Sequence, residues 1–125
     1  MKIVECSEKY WEFVRMLRMN PKVSDGFVNQ SKISEDDQKA YMQDHSEKYR
    51  ICLIDNVPVG YVGVIDDDIR VCVHPDFWKM GVGKFMIKNC RKIWPDSFAK
   101  VKIDNQASLA LFKSCGFKEK YIILE

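Results

Sequence analysis

The strongest constraint on what this chain can fold into is a junction in its second half, where strand-like alternation gives way to a helix across two glycines. Ile69, Val71 and Val73 alternate with Arg70, Cys72 and His74, the period-two pattern of a strand. A turn through Pro75-Asp76-Phe77-Trp78-Lys79-Met80 leads into Gly81-Val82-Gly83, and Phe85, Met86, Ile87, Cys90 and Ile93 then recur at helical spacing as far as Pro95. Glycines at a helix start leave backbone N–H groups uncovered. The helix dipole makes that end positive, and Lys79 and Lys84 add full charges. A pyrophosphate suits such a place. A tight turn with packing glycines uses the same residues, and the spacing matches neither the P-loop nor the three-glycine dinucleotide pattern.

The rest of the chain supplies a frame for this junction. Residues 1–6 read as a strand. Ser7 is a candidate cap for a helix carrying Tyr10, Trp11, Phe13, Val14 and Leu17, which Asn20-Pro21 should stop. A loop through Ser24-Asp25-Gly26 precedes Ser34-Glu35-Asp36-Asp37, a capping pattern opening a polar helix to about Glu47. Tyr49–Ile54 and Val57–Ile65 are β-branched and apolar, split by Asp55-Asn56, a two-residue hairpin turn, and Asp66-Asp67-Asp68 makes the next turn. After the glycine-opened helix, Ala99, Val101 and Ile103 alternate with lysines as a fifth strand. Asn105 caps a helix closed by Gly116, and Tyr121–Leu124 reads as a sixth strand. The order βααβββαβαβ predicts an α/β (α+β) fold: a mixed, mostly antiparallel sheet of about six strands flanked by four helices. Its β-α-β unit from Ile69 to Ile103 should be parallel and right-handed. With 125 residues and no linker or repeat, residues 1–125 read as a single domain.

Composition narrows the function. A net charge of +2, with lysines interleaved among acids, argues against nucleic acid. The sequence shows no signal peptide and no apolar run long enough for a membrane span, so a cytoplasmic protein that does not engage membranes is expected. Cys6, Cys52, Cys72, Cys90 and Cys115 are odd in number and widely spaced, as buried thiols in a reducing compartment would be, and no metal site is expected.

The stretch Val71-x-Val73-His74-Pro75-Asp76-Phe77-x-x-x-Gly81-x-Gly83 resembles motif A of the GNAT acetyltransferases. Downstream, Asn105-Gln106-Ala107-Ser108-Leu109-Ala110-Leu111-Phe112, followed by Gly116-Phe117, is similar to that family's second signature. Both motifs, in order and with a helix and strand between, carry the resemblance from about Ile69 to Phe117. The resemblance implies a GNAT-like sheet and an acetyl-CoA co-substrate. Val71 and Val73 would pair their backbone with the pantetheine arm, and the N–H at Val73 would act as the catalytic oxyanion donor. The segment Trp78, Lys79, Met80, Gly81, Val82, Gly83 and Lys84 would hold the pyrophosphate. Asn105 would bond the arm, and Ser108 and Phe112 would line its thiol end. Asn105 as a mere helix cap, and the two valines as mere core, are the competing readings.

Two positions depart from the family. Trp78 stands where many members carry Gln or Arg. Phe112 stands where many carry a tyrosine that protonates the leaving thiolate, and phenylalanine cannot donate a proton. Thiols have a pKa near ~8.5, so the thiolate leaves tolerably without that acid. On the acceptor side, Arg15 and Arg18 share a helix face and resemble a pattern in members that acetylate nucleotide sugars or ribosomal proteins. They would suit a phosphate, or else form a solvated face with Glu12. Asp68 is a candidate base, and His74 reads as a turn residue. The expected function is acetyl transfer to a primary amine of a small metabolite, such as a nucleotide-linked amino sugar, or of a protein N-terminus, by a monomer or homodimer. The alternative is a catalytically weak CoA-binding sensor of the same fold, which Phe112 favours.

Overall fold

In the computed structural model, described for residues 1–24 and 32–125, four strands form one antiparallel sheet in the order β1-β2-β3-β4. They are β1 (Lys2–Glu5), β2 (Tyr49–Ile54), β3 (Val57–Ile65) and β4 (Asp68–Val73). Both hairpins turn where expected. Asp55 and Asn56 have φ of 50° and 65°, and Asp66 and Asp67 have 52° and 65°. Two successive positive φ values match the right-handed twist of the strands, and Asp and Asn tolerate them best after glycine. Asp68 is therefore the first residue of β4 rather than part of the turn. An irregularity between Cys52 and Leu53 pairs them with Gly60 and Pro58, leaving Val59 as a bulge residue.

The helices are α1 (Trp11–Arg18), α2 (Pro21–Ser24), α3 (Glu35–His45), α4 (Val82–Ile93) and α5 (Gln106–Ser114). Ser34 Oγ accepts from the Asp37 N–H at 3.1 Å, and Asn105 Oδ1 accepts from the Ser108 N–H at 3.1 Å, so both expected caps form. Ser7 makes no side-chain cap. A 3-10 turn over Glu8–Tyr10 precedes α1 instead. Pro21 starts a helix rather than only stopping one, because a first-turn residue needs no N–H donor. The second expected helix ends at His45, with a 3-10 turn over Ser46–Lys48 beyond it. Of the expected Ser24-Asp25-Gly26 loop, Ser24 closes α2, and Asp25 and Gly26 lie outside the described residues.

Two corrections concern the sheet. The fifth expected strand, Ala99–Ile103, forms no ladder; the pairing stops just before it, at a single parallel bridge between Asp68 and Phe98, with Ile69 N–H donating to Phe98 C=O at 2.8 Å. Beyond the bridge the two segments part. Ile103 is 88% exposed, so its alternation with the lysines buries only one side partially. The sixth, Tyr121–Leu124, pairs with nothing among the described residues and is exposed throughout. Strand propensity marks a segment that fits a pleated surface, but without a neighbour to share hydrogen bonds no ladder forms.

The sheet carries a core on each face. Ile51, Tyr61 and Cys72 pack with Val14 and Leu17 of α1 and Met42 of α3. Cys52, Val62, Val64 and Ile69 pack with Val82, Met86, Ile87 and Cys90 of α4 and with Phe112 of α5. At the end of α5, Phe117 N–H donates to Phe112 C=O at 3.1 Å and Gly116 N–H to Lys113 C=O at 3.0 Å, with Gly116 at φ 92°. This is a Schellman closure, and its apolar contact is the Phe117 ring set edge-on to Phe112, 5.1 Å between centroids.

Candidate active site

The parting of β4 from the segment after Phe98 opens a pocket of about 800 Å³ along the edge of the sheet. Ile65 and Asp68 flank a two-residue turn and so form a hydrogen-bonded pair. Counting along the register, Arg70 and Cys72 point their peptide groups back at β3, whereas Ile69, Val71 and Val73 point theirs outward. The Ile69 bond to Phe98 and the His74 N–H bond to Val59 C=O, both 2.8 Å, agree with that count. The N–H groups of Val71 and Val73 therefore face the pocket, with no partner among the described residues. Val73 C=O is taken by the Trp78 indole N–H at 2.9 Å. Trp78 thus ties the turn to the strand it leaves.

At the pocket's other end stands the start of α4. Gly81 holds φ 82°, a conformation costly for a side chain bearing Cβ, and caps the helix with no side chain of its own. The first intrahelical bond is Phe85 N–H to Gly81 C=O at 3.0 Å, so the N–H groups of Val82, Gly83 and Lys84 have no helical acceptor. A Cβ on Gly81 would meet only Met1 Cε at 4.0 Å, whereas one on Gly83 would press Leu111 Cδ2 at 2.9 Å. Gly81 keeps the cradle open, and Gly83 lets α5 pack close. Lys79, itself at φ 64°, and Lys84 line the same end.

Most of the expected residues converge here. Val71, Val73, Trp78, Lys79, Gly81, Val82, Gly83, Lys84, Asn105, Ser108 and Phe112 all border the pocket. Val82 has its side chain in the core and offers only its backbone. Met80 lies off the pocket wall, 54% exposed. Asn105 spends its Oδ1 on capping α5. Phe112 is 5% exposed and reaches the pocket from the core. His74 is a turn residue as expected, its Nδ1 accepting the Asp76 N–H at 3.1 Å.

The two arginines of α1 separate. Arg15 turns to Glu12, with Nε 3.0 Å from each carboxylate oxygen, and donates to Ile33 C=O at 3.2 Å. It ties α1 to the approach to α3, and its bond holds the Glu12 carboxyl below its ordinary pKa. Arg15 does not border the pocket; Arg18 does.

Alternation hid a further set. Arg70 and Cys72 project on the α1 face of β4, where they join Tyr49, Tyr61, Arg18 and Lys22 in lining the pocket. Asp68 shares that wall, its Oδ2 3.5 Å from Arg70 Nε, close enough for an ion pair although Nε makes no well-aligned hydrogen bond. Tyr49 shares a 2.9 Å hydroxyl bond with Tyr41. Burial keeps Tyr49 and Tyr61 protonated far above the usual phenol range and pushes the Cys72 thiol up to about 12. Among the described residues no group of three or more His, Cys, Asp or Glu is placed to hold a metal, and no helix is long and apolar enough to cross a membrane.

The family model described as the acetyltransferase (GNAT) family matches residues 10–117. The chain belongs to that family. This GNAT protein is thus an N-acyltransferase whose co-substrate is acetyl-CoA. Its fold is similar to that of a domain from Methanocaldococcus jannaschii DSM 2661, at TM-score 0.79 and 20% identity, covering 95% of this chain and 88% of that one. It is also similar to ribosomal-protein-alanine N-acetyltransferase from Brucella melitensis, at TM-score 0.83 and 14% identity, covering 97% and 86%. A third similar fold is spermidine N-acetyltransferase from Vibrio cholerae in complex with CoA and spermine, at TM-score 0.81 and 14% identity, covering 96% and 82%. No curated protein matches the chain in sequence.

Proposed function

We propose that this single-domain GNAT protein moves an acetyl group from acetyl-CoA to a primary amine of a small metabolite, a nucleotide-linked amino sugar being the type we favour over a protein N-terminus. The observation that carries the reading is that outward peptide groups of β4 and the uncapped start of α4 border one pocket. The residues fit the co-substrate. N–H groups at Val82, Gly83 and Lys84, with Lys79 and Lys84 side chains, suit a pyrophosphate. The outward N–H of Val71 suits an amide of the pantetheine arm, as an added strand pairs with a sheet edge. The Val73 N–H then aims a fixed dipole at the thioester oxygen, where negative charge grows as the amine attacks. Ser108 and Phe112 flank the sulfur end, and Trp78 fixes the turn between the two binding elements.

In transfer, the amine nitrogen bonds to the acetyl carbon, the carbon–sulfur bond breaks, and the nitrogen sheds a proton. Asp68, on the pocket wall, is the carboxylate we assign to receive it. Phe112 supplies no proton, so the thiolate takes one from solvent or leaves as the anion. Thermal stabilisation by acetyl-CoA tests the binding half: at 100 times Kd it should reach ~2.7 kcal/mol. Free-thiol release with an amine panel tests the transfer half. Stabilisation without transfer to any amine would favour the sensor reading, for which the Phe112 position speaks.

A further inference from the structure

We propose that the acceptor is an amine that also carries an anionic group, a phosphate or carboxylate, recognised by Arg18, Lys22 and Arg70. This rests on the transfer reading above and names its substrate class. Side chains alternate along β4, so the pocket has two walls. Val71 and Val73 share the α4 side with the co-substrate elements, while Asp68 and Arg70 share the α1 side. Arg18 at the end of α1 and Lys22 on α2 reach that second wall, which joins three cations to the carboxylate of Asp68; Asp104 is the other acidic residue in the described pocket lining. Arg18 and Lys22 make no ion pair among the described residues, and Arg70 reaches Asp68 only at 3.5 Å. Arg18 and Arg70 line the same pocket as the buried Tyr49 and Tyr61, and both charges act on that pair.

A polycation entering this wall would meet net repulsion. A molecule with one amine and one anionic group finds Asp68 for the first and guanidinium forks for the second. Arg15, bound to Glu12, takes no part.

The test uses protein saturated with CoA, so that the pyrophosphate cradle is filled. It is titrated calorimetrically with matched amines that differ by a phosphate or carboxylate (O-phosphoethanolamine against ethanolamine, and amino sugars with and without phosphate), and with spermidine. Acetyl-CoA turnover is followed with the same compounds. The anionic members should bind and react preferentially. Arg18→Gln and Arg70→Gln should each weaken them about tenfold or more, in Kd and in acceptor KM, with the acetyl-CoA KM unchanged. Lys39→Gln, a charge loss at an exposed position of α3, should do neither. Preference for spermidine, or for the partner of each pair that lacks the anionic group, overturns the proposal, as does indifference of both arginine variants. If anions bind as described but no amine is acetylated, the transfer reading falls while the anion site stands. If amines lacking the anionic group are acetylated as well as those carrying it, the reverse holds.

Discussion

Gly60→Ala probes the link between the sheet and the co-substrate. Gly60 lies opposite Val73, with its missing side chain directed at α4. A Cβ there would sit 2.7 Å from Cys72 C=O and 2.8 Å from Met86 Cε. Met86 can swing aside, but the Cys72 carbonyl is backbone and can move only with the peptide that carries the Val73 N–H. Forcing a methyl group into such a site costs about 1–3 kcal/mol. Misaligning one hydrogen bond to the co-substrate costs a further ~0.5–1.5 kcal/mol in binding, roughly two- to tenfold in Kd. Gly63→Ala is the control, since its Cβ would run into the Tyr49 ring on the opposite face. Urea unfolding and acetyl-CoA titration should show both variants destabilised and only Gly60→Ala weakened in acetyl-CoA affinity. A Gly60→Ala protein of parental stability, or one that binds acetyl-CoA as tightly as the parent, would refute the reasoning.

Gly81→Ala places a Cβ at φ 82° and should lose ~1–2 kcal/mol of stability to backbone strain. Its acetyl-CoA affinity should fall further than a co-substrate-free turn would require, and unchanged affinity on calorimetry would move the pyrophosphate elsewhere. Trp78→Phe removes the donor to Val73 C=O and should raise the acetyl-CoA KM by a few-fold, about the worth of one hydrogen bond, with a smaller change in the acceptor KM. Phe112→Tyr adds a hydroxyl where the ring meets the pocket, so kcat should be similar or modestly higher, most visibly at low pH; a steep fall would show that the hydroxyl is forced into the core. The pH dependence has a definite sign. Burial pushes the Cys6 thiol to about 11 and Cys72 to about 12, against 9.0 when exposed, so above pH 9 the unfolded chain holds fewer protons than the folded one. Stability should be intact below pH 9 and decline from 9 toward 12, as a series of denaturant midpoints would reveal.

Local chemistry made much of this molecule legible in advance. The Asp55-Asn56 turn, the Ser34 and Asn105 caps and Gly116 each depend on a few adjacent atoms, and each forms as read. The strand entering Gly81 was legible for the same reason. What failed depended on distant partners. Ala99–Ile103 and Tyr121–Leu124 have strand-like residues, but a ladder needs a second chain segment, and alternation is silent about one. Arg15 and Arg18 share a helix face in sequence, yet Glu12 and the Ile33 carbonyl claim the first and leave the second to the pocket. The alternation of Arg70 with Ile69 and Val71 places it on the other face of β4 from those two. That the space it points into is a pocket shared with Tyr61 and Arg18 required the sheet and α1 to be seen together.

The outward-facing peptides of β4 have a consequence for how the protein keeps in solution. An uncovered sheet edge offers its N–H groups to any extended chain that arrives, and a neighbouring copy qualifies as readily as a pantetheine arm. Past the Phe98 bridge, among the described residues, the Trp78 indole is the one group bonded to this edge, at the Val73 carbonyl. The small molecule that serves the reaction would therefore also serve as the missing strand, and acetyl-CoA depletion would leave a population of chains prone to stick together. Colloidal lifetime, no less than turnover, would then follow the supply of the co-substrate.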